Sequence, residues 1–173
     1  MMRFFPLLIF VIFTSLLSGQ EQQYKVGAIG FYNFENLFDT LDTENVRDEE
    51  FTPNGKKAYG GKIYQEKLEH LSSVVSKMGT EMTPDGLAIL GVCEIENRSV
   101  LEDFIKMPDL AGRNYKIVHY DSPDKRGIDV GLIYSPKYFT IKNSESLLLD
   151  IQQKNGDTVF TSCLLYTSDA ADE

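Results

Sequence analysis

The chain has 173 residues, a length that suits one domain of ordinary size, with 17 basic and 26 acidic side chains for a formal charge of −9. An acidic protein gains little from counterion release, which disfavours tight non-specific nucleic-acid binding, while metal-assisted phosphate chemistry stays open because bound cations offset local negative charge. With two cysteines, one inside a predicted core strand at Cys93 and one near the end at Cys163, no disulfide is expected, and Cys93 reads as a small buried hydrophobe.

Residues 1–17 carry one positive residue, Arg3, ahead of a nearly unbroken apolar run from Phe4 to Phe13, followed by Thr, Ser, Leu and Gly. That is the pattern of a secretory signal over residues 1–19, with cleavage expected around Ser18 to Gln20. The run is short against the roughly 20 apolar residues of a membrane span, so the mature protein is read as secreted or periplasmic, with an uncleaved anchor as the alternative. Tyr24 to Phe34 combines β-branched and aromatic residues with glycine and predicts the first strand; Asn33 falls near its end, where a lone asparagine is most often a turn former. Asp39 to Glu50 is acidic but lacks the alternating oxygen ligands and central glycine of an EF-hand loop, so a solvated surface loop is predicted, with more loop from Phe51 to Gly61. Lys62 to Met78 then sets Ile63, Tyr64, Lys67, Leu68, Leu71, Val74, Val75 and Met78 at three- and four-residue steps, a helix with a sheet-facing stripe.

The stretch PDGLAILGVCEIEN, Pro84 to Asn97, is a run of apolar residues that ends abruptly in carboxylates. Leu87 to Cys93 reads as a strand buried on both faces. Glu94 sits where that strand leaves the core, the end at which open α/β sheets place ligands. A partly desolvated carboxylate there is costly unless something positive meets it, as a divalent cation would; the plainer reading is a strand-end glutamate reaching solvent. A short helix follows near Arg98 to Lys106, capped by Ser99 with Glu102 in capping-box spacing or by Asn97. Strand, helix and strand in succession predict an α/β sheet. Tyr115 to Tyr120 and Ile128 to Tyr134 are further strands joined by the turn DSPDKRG. His119 alternates onto the face of Ile117 and Tyr115 and reads as a packed or edge histidine. Arg126, on the loop, suits bidentate capture of a phosphate or, equally, pairing with Asp124 or Asp129. Tyr138 to Ile141, Leu147 to Ile151 and Thr158 to Thr161 complete the strands, with Asn155 to Asp157 as a hairpin turn.

FYNFENLFD, PDGLAILGVCEIEN and SPDKRGIDVGLIYS, in that order, resemble the endonuclease/exonuclease/phosphatase superfamily, and within it the secreted bacterial branch, over Tyr24 to Thr161. The resemblance implies a four-layer α/β/β/α sandwich whose members hydrolyse phosphodiesters or phosphomonoesters with Mg²⁺ or a similar cation such as Mn²⁺. By position, Asn33 matches the first-strand asparagine that helps organise the metal and phosphate site, Glu94 matches the metal-ligating glutamate, and Arg126 lies where relatives contact the substrate phosphate. The expected substrate is a phosphodiester, nucleic acid first; an inositol or lipid phosphatase and a non-catalytic binding module on the same fold are the alternatives. The superfamily's Asn-His strand end, Gly-Asp-x-Asn strand end and late catalytic histidine have no counterpart in these residues, and His119 matches none of them in order or context. The last eleven residues, Cys163 to Glu173, resemble a translated sequencing adapter, so residues 20–162 are read as the amino-terminal part of the domain, expected to be inactive and poorly folded alone; a natural strand with an acidic tail is the other reading.

Overall fold

A computed structural model describes residues 24–124, 126–152 and 158–170, with side chains as far as residue 147. The signal-like segment 1–19 and the Asn155 to Asp157 turn lie outside the described residues. β1 (Ala28–Leu37), β2 (Leu87–Ile95), β3 (Lys116–His119) and β4 (Asp129–Tyr134) form a mixed sheet in the order β1-β2-β4-β3. β1 and β2 are parallel, joined by a crossover through helix α1 (Gly61–Val75), while β4 runs antiparallel to both β2 and β3. β5 (Phe139–Gln152) and β6 (Thr158–Ala170) make a separate antiparallel pair. No helix among the described residues is long and apolar enough to cross a membrane.

Helix α1, α2 (Arg98–Ile105) and the single turn α3 (Pro108–Ala111) pack on one face of the four-stranded sheet. Leu68, Leu71 and Val75 from α1 and Val100, Leu101 and Phe104 from α2 meet Phe34, Leu90, Val92 and Ile133 from the strands in one core. Each such side chain contributes about 1.5–3 kcal/mol when fully buried. The opposite face is open: Ile29 is 72% and Phe31 65% exposed. Phe31 lies across Gly91, where an added Cβ would stand 2.8 Å from its ring. One α layer and one β layer of the sandwich are thus laid out, a mixed α/β architecture.

Several boundaries differ from expectation. β1 starts at Ala28 and continues past Asn33, because Leu37 pairs with Ile95 beyond an irregularity in which Glu35 and Asn36 take φ values of 50° and 60°. Helix α1 stops at Val75, where Lys77 and Met78 donate to Val74 and Val75 in tight i to i−3 bonds. In α2 the cap is Asn97, whose Oδ1 accepts the Val100 N–H at 3.1 Å and the Ser99 hydroxyl at 2.6 Å; Glu102 pairs with Arg98 at 2.9 Å, so Ser99 and Glu102 form no capping box. β5 is one strand where two were expected, since polar residues 142–146 continue the ladder at an exposed position and Tyr120 donates to the Ser144 carbonyl at 2.8 Å. β6 runs across residues 163–170, the span set aside above.

Candidate functional site

The carboxyl ends of β1 and β2 lie side by side, with Asn33 in register with Cys93. Both strands are irregular there. Glu94 itself takes a φ of 56°, in the left-handed region that non-glycine residues rarely enter, at a register shift between Cys93 and Ile95. Bulges of this kind re-aim a side chain and are over-represented next to active sites. The Glu94 carboxylate is half-buried and has no hydrogen-bond or ion-pair partner among the described residues. A half-exposed carboxylate at a strand end, with no protein partner among the described residues, is an oxygen donor of the kind a hard divalent cation takes.

Asn33 is exposed, and its side-chain oxygen accepts the Glu35 N–H at 2.7 Å, so it also works as the local turn former. Arg126 is exposed on the β3–β4 loop and forks onto Asp124, with Nε at 3.1 Å and Nη2 at 2.6 Å from Oδ2. The pairing lowers the Asp124 acid and raises the Arg126 guanidinium, each through their mutual hydrogen bonds first. Three of the five N–H donors of Arg126 stay outside that pair, and the charge of Glu94 reaches the guanidinium. Asn33 and Glu94 are therefore neighbours on adjacent strands, while Arg126 is linked to Glu94 by field.

Lys67 joins this group unannounced by the motifs. From the buried stripe of α1 its ammonium donates to the carbonyls of Glu35 at 2.5 Å and Asn36 at 3.0 Å, tying the helix to the distorted end of β1. Burial pulls its pKa down, and the carboxylates of Glu35 and Glu94 oppose that. The signal was a lysine on an otherwise apolar helix stripe.

A second polar cluster sits beside the first. His119, its side chain 2% exposed, shares a hydrogen bond of 2.9 Å between Nε2 and Asp129 Oδ2, and Asp129 Oδ1 accepts the Ser122 N–H at 2.9 Å. With Asp121, these residues offer ligand atoms within 4.8 Å of one another, a possible acidic and histidine metal site. His119 is packed and tethered as expected, with Nε2 engaged by Asp129 and Nδ1 3.8 Å from Asp121. A cleft of about 360 Å³ between the acidic segment and this loop is lined by Thr43, Glu96, Asn97, Asp124 and Asp129 among others.

The acidic segment is largely the exposed loop expected of it, with residues 41–45, 47 and 49 exposed, but it is anchored at Asp48. Asp48 is fully buried, and Glu96, two residues beyond Glu94, is 7% exposed. Burial first, then the charges of Asp39 and Asp48, push the Glu96 acid up to about 7, against the bonds it accepts from Asp39 and Thr43. The Tyr59 phenol is pushed up to about 12, mainly by burial and then by Glu96 and Asp39.

These features define a mixed-sheet α/β protein with an oxygen-donor site at its strand ends, flanked by a lysine and an arginine. The sequence profile of the endonuclease/exonuclease/phosphatase family matches residues 28–172, and the chain belongs to that family. No curated protein matches it. Among solved structures it is similar to the crystal structure of an endonuclease/exonuclease/phosphatase family protein from Bacteroides thetaiotaomicron, at 17% identity and a TM-score of 0.35. That likeness covers 51% of this chain and 31% of the other.

Proposed function

We propose that this chain carries the amino-terminal part of a secreted, divalent-cation-dependent phosphoesterase, acting on a phosphodiester with nucleic acid as the first candidate. The observation that carries the reading is the half-buried carboxylate of Glu94, without a hydrogen-bond or ion-pair partner among the described residues, set in a left-handed position near the end of its strand with its charge felt by Lys67 and Arg126. Glu94 would hold Mg²⁺ or Mn²⁺, with Asn33 on the neighbouring strand orienting the site. Such a cation, when bound, polarises a phosphoryl oxygen and stabilises the leaving oxygen. Arg126 supplies the phosphate contact through its remaining donors, or through all five after exchanging Asp124 for substrate. Lys67 fixes the backbone from which Asn33 projects. Family membership supports hydrolysis of phosphoesters as the class of reaction.

The test is Mn²⁺ binding to the chain, followed by calorimetry and by the electron paramagnetic resonance of free Mn²⁺. Glu94→Gln should weaken binding at least about tenfold, and in a protein extended to the whole domain it should remove most cation-dependent turnover of bis(p-nitrophenyl) phosphate. Unchanged Mn²⁺ affinity in Glu94→Gln would overturn the metal role.

A further inference from the structure

The β3–β4 loop that carries Arg126 is held in shape by its own residues. The Ser122 N–H donates to Asp129 Oδ1 at 2.9 Å and the Ser122 hydroxyl to the Ile128 carbonyl at 3.3 Å. The Gly127 N–H donates to the Asp124 carbonyl at 3.0 Å, and Asp124 Oδ1 accepts the Arg126 N–H at 2.9 Å. Each of these bonds stays within residues 122–129, so together they set the shape of the turn and leave its placement over the strand ends to other contacts. The exposed guanidinium pairs with Asp124 of the same turn and goes where the turn goes.

One such contact comes from the acidic segment. Gly127 follows Arg126 with a φ of 67°, and a Cβ added there would overlap Val46 Cγ1, with Val46 Cβ at 3.5 Å and Phe38 Cε1 at 3.8 Å. The Val46 side chain therefore lies against the backbone of the turn, in space that a glycine leaves open. Val46 is half-buried between two exposed neighbours, Asn45 and Arg47. Its own place is set from the end of β2. The Val46 N–H donates to the Thr43 carbonyl at 3.2 Å. Thr43 donates its hydroxyl to Glu96 Oε1 at 3.2 Å and its N–H to Asp48 Oδ2 at 3.0 Å, while the Asp39 N–H reaches Glu96 Oε2 at 2.6 Å. Glu96 directly follows Ile95, the last residue of β2.

We infer that Val46 is a positioning residue for Arg126, the tip of a strap that runs from the end of β2 and braces the phosphate-contacting turn. This role rests on Arg126 contacting the substrate phosphate. Removing the Val46 methyl groups opens a gap into which the turn can settle, and a side chain at position 127 pushes the turn off the strap. In both cases the guanidinium moves away from its working place, and displacements of about 1 Å in a positioning group can cost up to about a hundredfold. Loss of a contact that the bound substrate already makes raises KM more than it lowers kcat. The acidic segment thereby serves the site without touching substrate or cation.

The experiment uses the full-length protein, with kcat and KM for bis(p-nitrophenyl) phosphate in Mn²⁺ and amide hydrogen exchange of the β3–β4 loop measured on the same samples. Gly127→Ala should raise KM about tenfold with kcat within about twofold of the parent, and should speed exchange in the turn. Val46→Ala alone should raise KM about threefold. Combining the two removes the overlapping Cγ1 and leaves the added Cβ 3.5 Å from that of residue 46, an ordinary contact, so KM should return to within about threefold of the parent. The backbone strain of alanine at a φ of 67° persists in both Gly127 variants and registers in Tm, so recovery of KM isolates the Val46 contact. Should Gly127→Ala fail to fold, Val46→Ala decides. Additive losses in the double variant, a lower Tm with KM and exchange unchanged, or a Val46→Ala protein indistinguishable from the parent would each overturn the role of Val46. Arg126→Ala separates the two readings: if it raises KM while the Val46 and Gly127 variants do not, the strap alone falls, and if it leaves KM unchanged, the phosphate contact falls and the strap with it.

Discussion

Lys67→Met keeps the length of the side chain and the packing of its stem on α1 but removes the two donations to Glu35 and Asn36. Those carbonyls belong to residues at φ 50° and 60°, a conformation that costs non-glycine residues roughly 1–2 kcal/mol each and persists only where neighbours hold it. Hydrogen bonds to a charged group contribute about 1.5–3 kcal/mol apiece, yet Lys67 is half-buried, its desolvation is unfavourable, and the freed carbonyls can find water. The net expectation is a loss of about 2 kcal/mol, read from urea unfolding at neutral pH. Lys67→Arg should recover part of it, and Lys62→Ala, removing an exposed lysine, should stay within about 0.5 kcal/mol. The sign with pH follows from the lowered pKa of Lys67. The folded state favours the neutral amine more than the unfolded state does, so the desolvation penalty is fully present below the folded pKa. It is relieved as pH rises from there towards the ordinary lysine value. This alkaline gain should vanish in Lys67→Met. A variant as stable as the parent, or more so, would refute the argument that the ammonium holds the strand end.

The two faces of the sheet should respond differently to truncation. Phe34→Ala, deleting a fully buried ring that packs edge-on against Phe104 at 4.7 Å, should cost about 3–5 kcal/mol in urea unfolding. Phe31→Ser should change stability by no more than about 0.5 kcal/mol while reducing binding of a hydrophobic dye. Asn97→Ala removes the α2 cap and the bond to Asp39, an expected loss of about 1–2 kcal/mol by the same assay. Glu96→Gln should raise Tm, because an amide of the same shape escapes the desolvation and the neighbouring acids that burden the carboxylate.

Local pattern carried much of the fold. The apolar stripe of α1 and the run from Leu87 to Cys93 reappear within a few residues of their expected limits, but β2 is not buried on both faces: Ala88, Leu90 and Val92 are buried under the helices while Ile89, Gly91 and Cys93 are only half-buried on the open side. The end of the apolar run at Glu94 was legible in the sequence, but the strand itself continues through a bulge at Glu94 to the buried Ile95. What stayed hidden depends on partners far along the chain. Nothing near Asp48 or Tyr59 announces burial, and Glu96 finds the Asp39 N–H across 57 positions. Lys67 was counted in a stripe by spacing, but its bonds run to residues 31 and 32 positions away. Arg126 left two readings open in sequence, and geometry places it on Asp124.

The open face bears on the same site. Along β1, alternation sends Ala28, Gly30, Tyr32 and Phe34 towards the helices and Ile29, Phe31 and Asn33 to the other side, as their burial records. Asn33 therefore shares a face with two of the most exposed large hydrophobic side chains. A face of this kind is an aggregation hazard until another layer covers it, and the four-layer sandwich of this family covers it with a second sheet. A sheet laid on Ile29 and Phe31 would also wall Asn33 on its open side and withdraw the strand ends from bulk water, where a lower local dielectric strengthens the pull of Glu94 on a cation. On that argument completing the core and completing the site are one step. Phe31→Ser should accordingly be silent in the chain alone and should impair both stability and cation-dependent turnover in a protein that contains both sheets. Equal activity of that variant and its parent would separate the two.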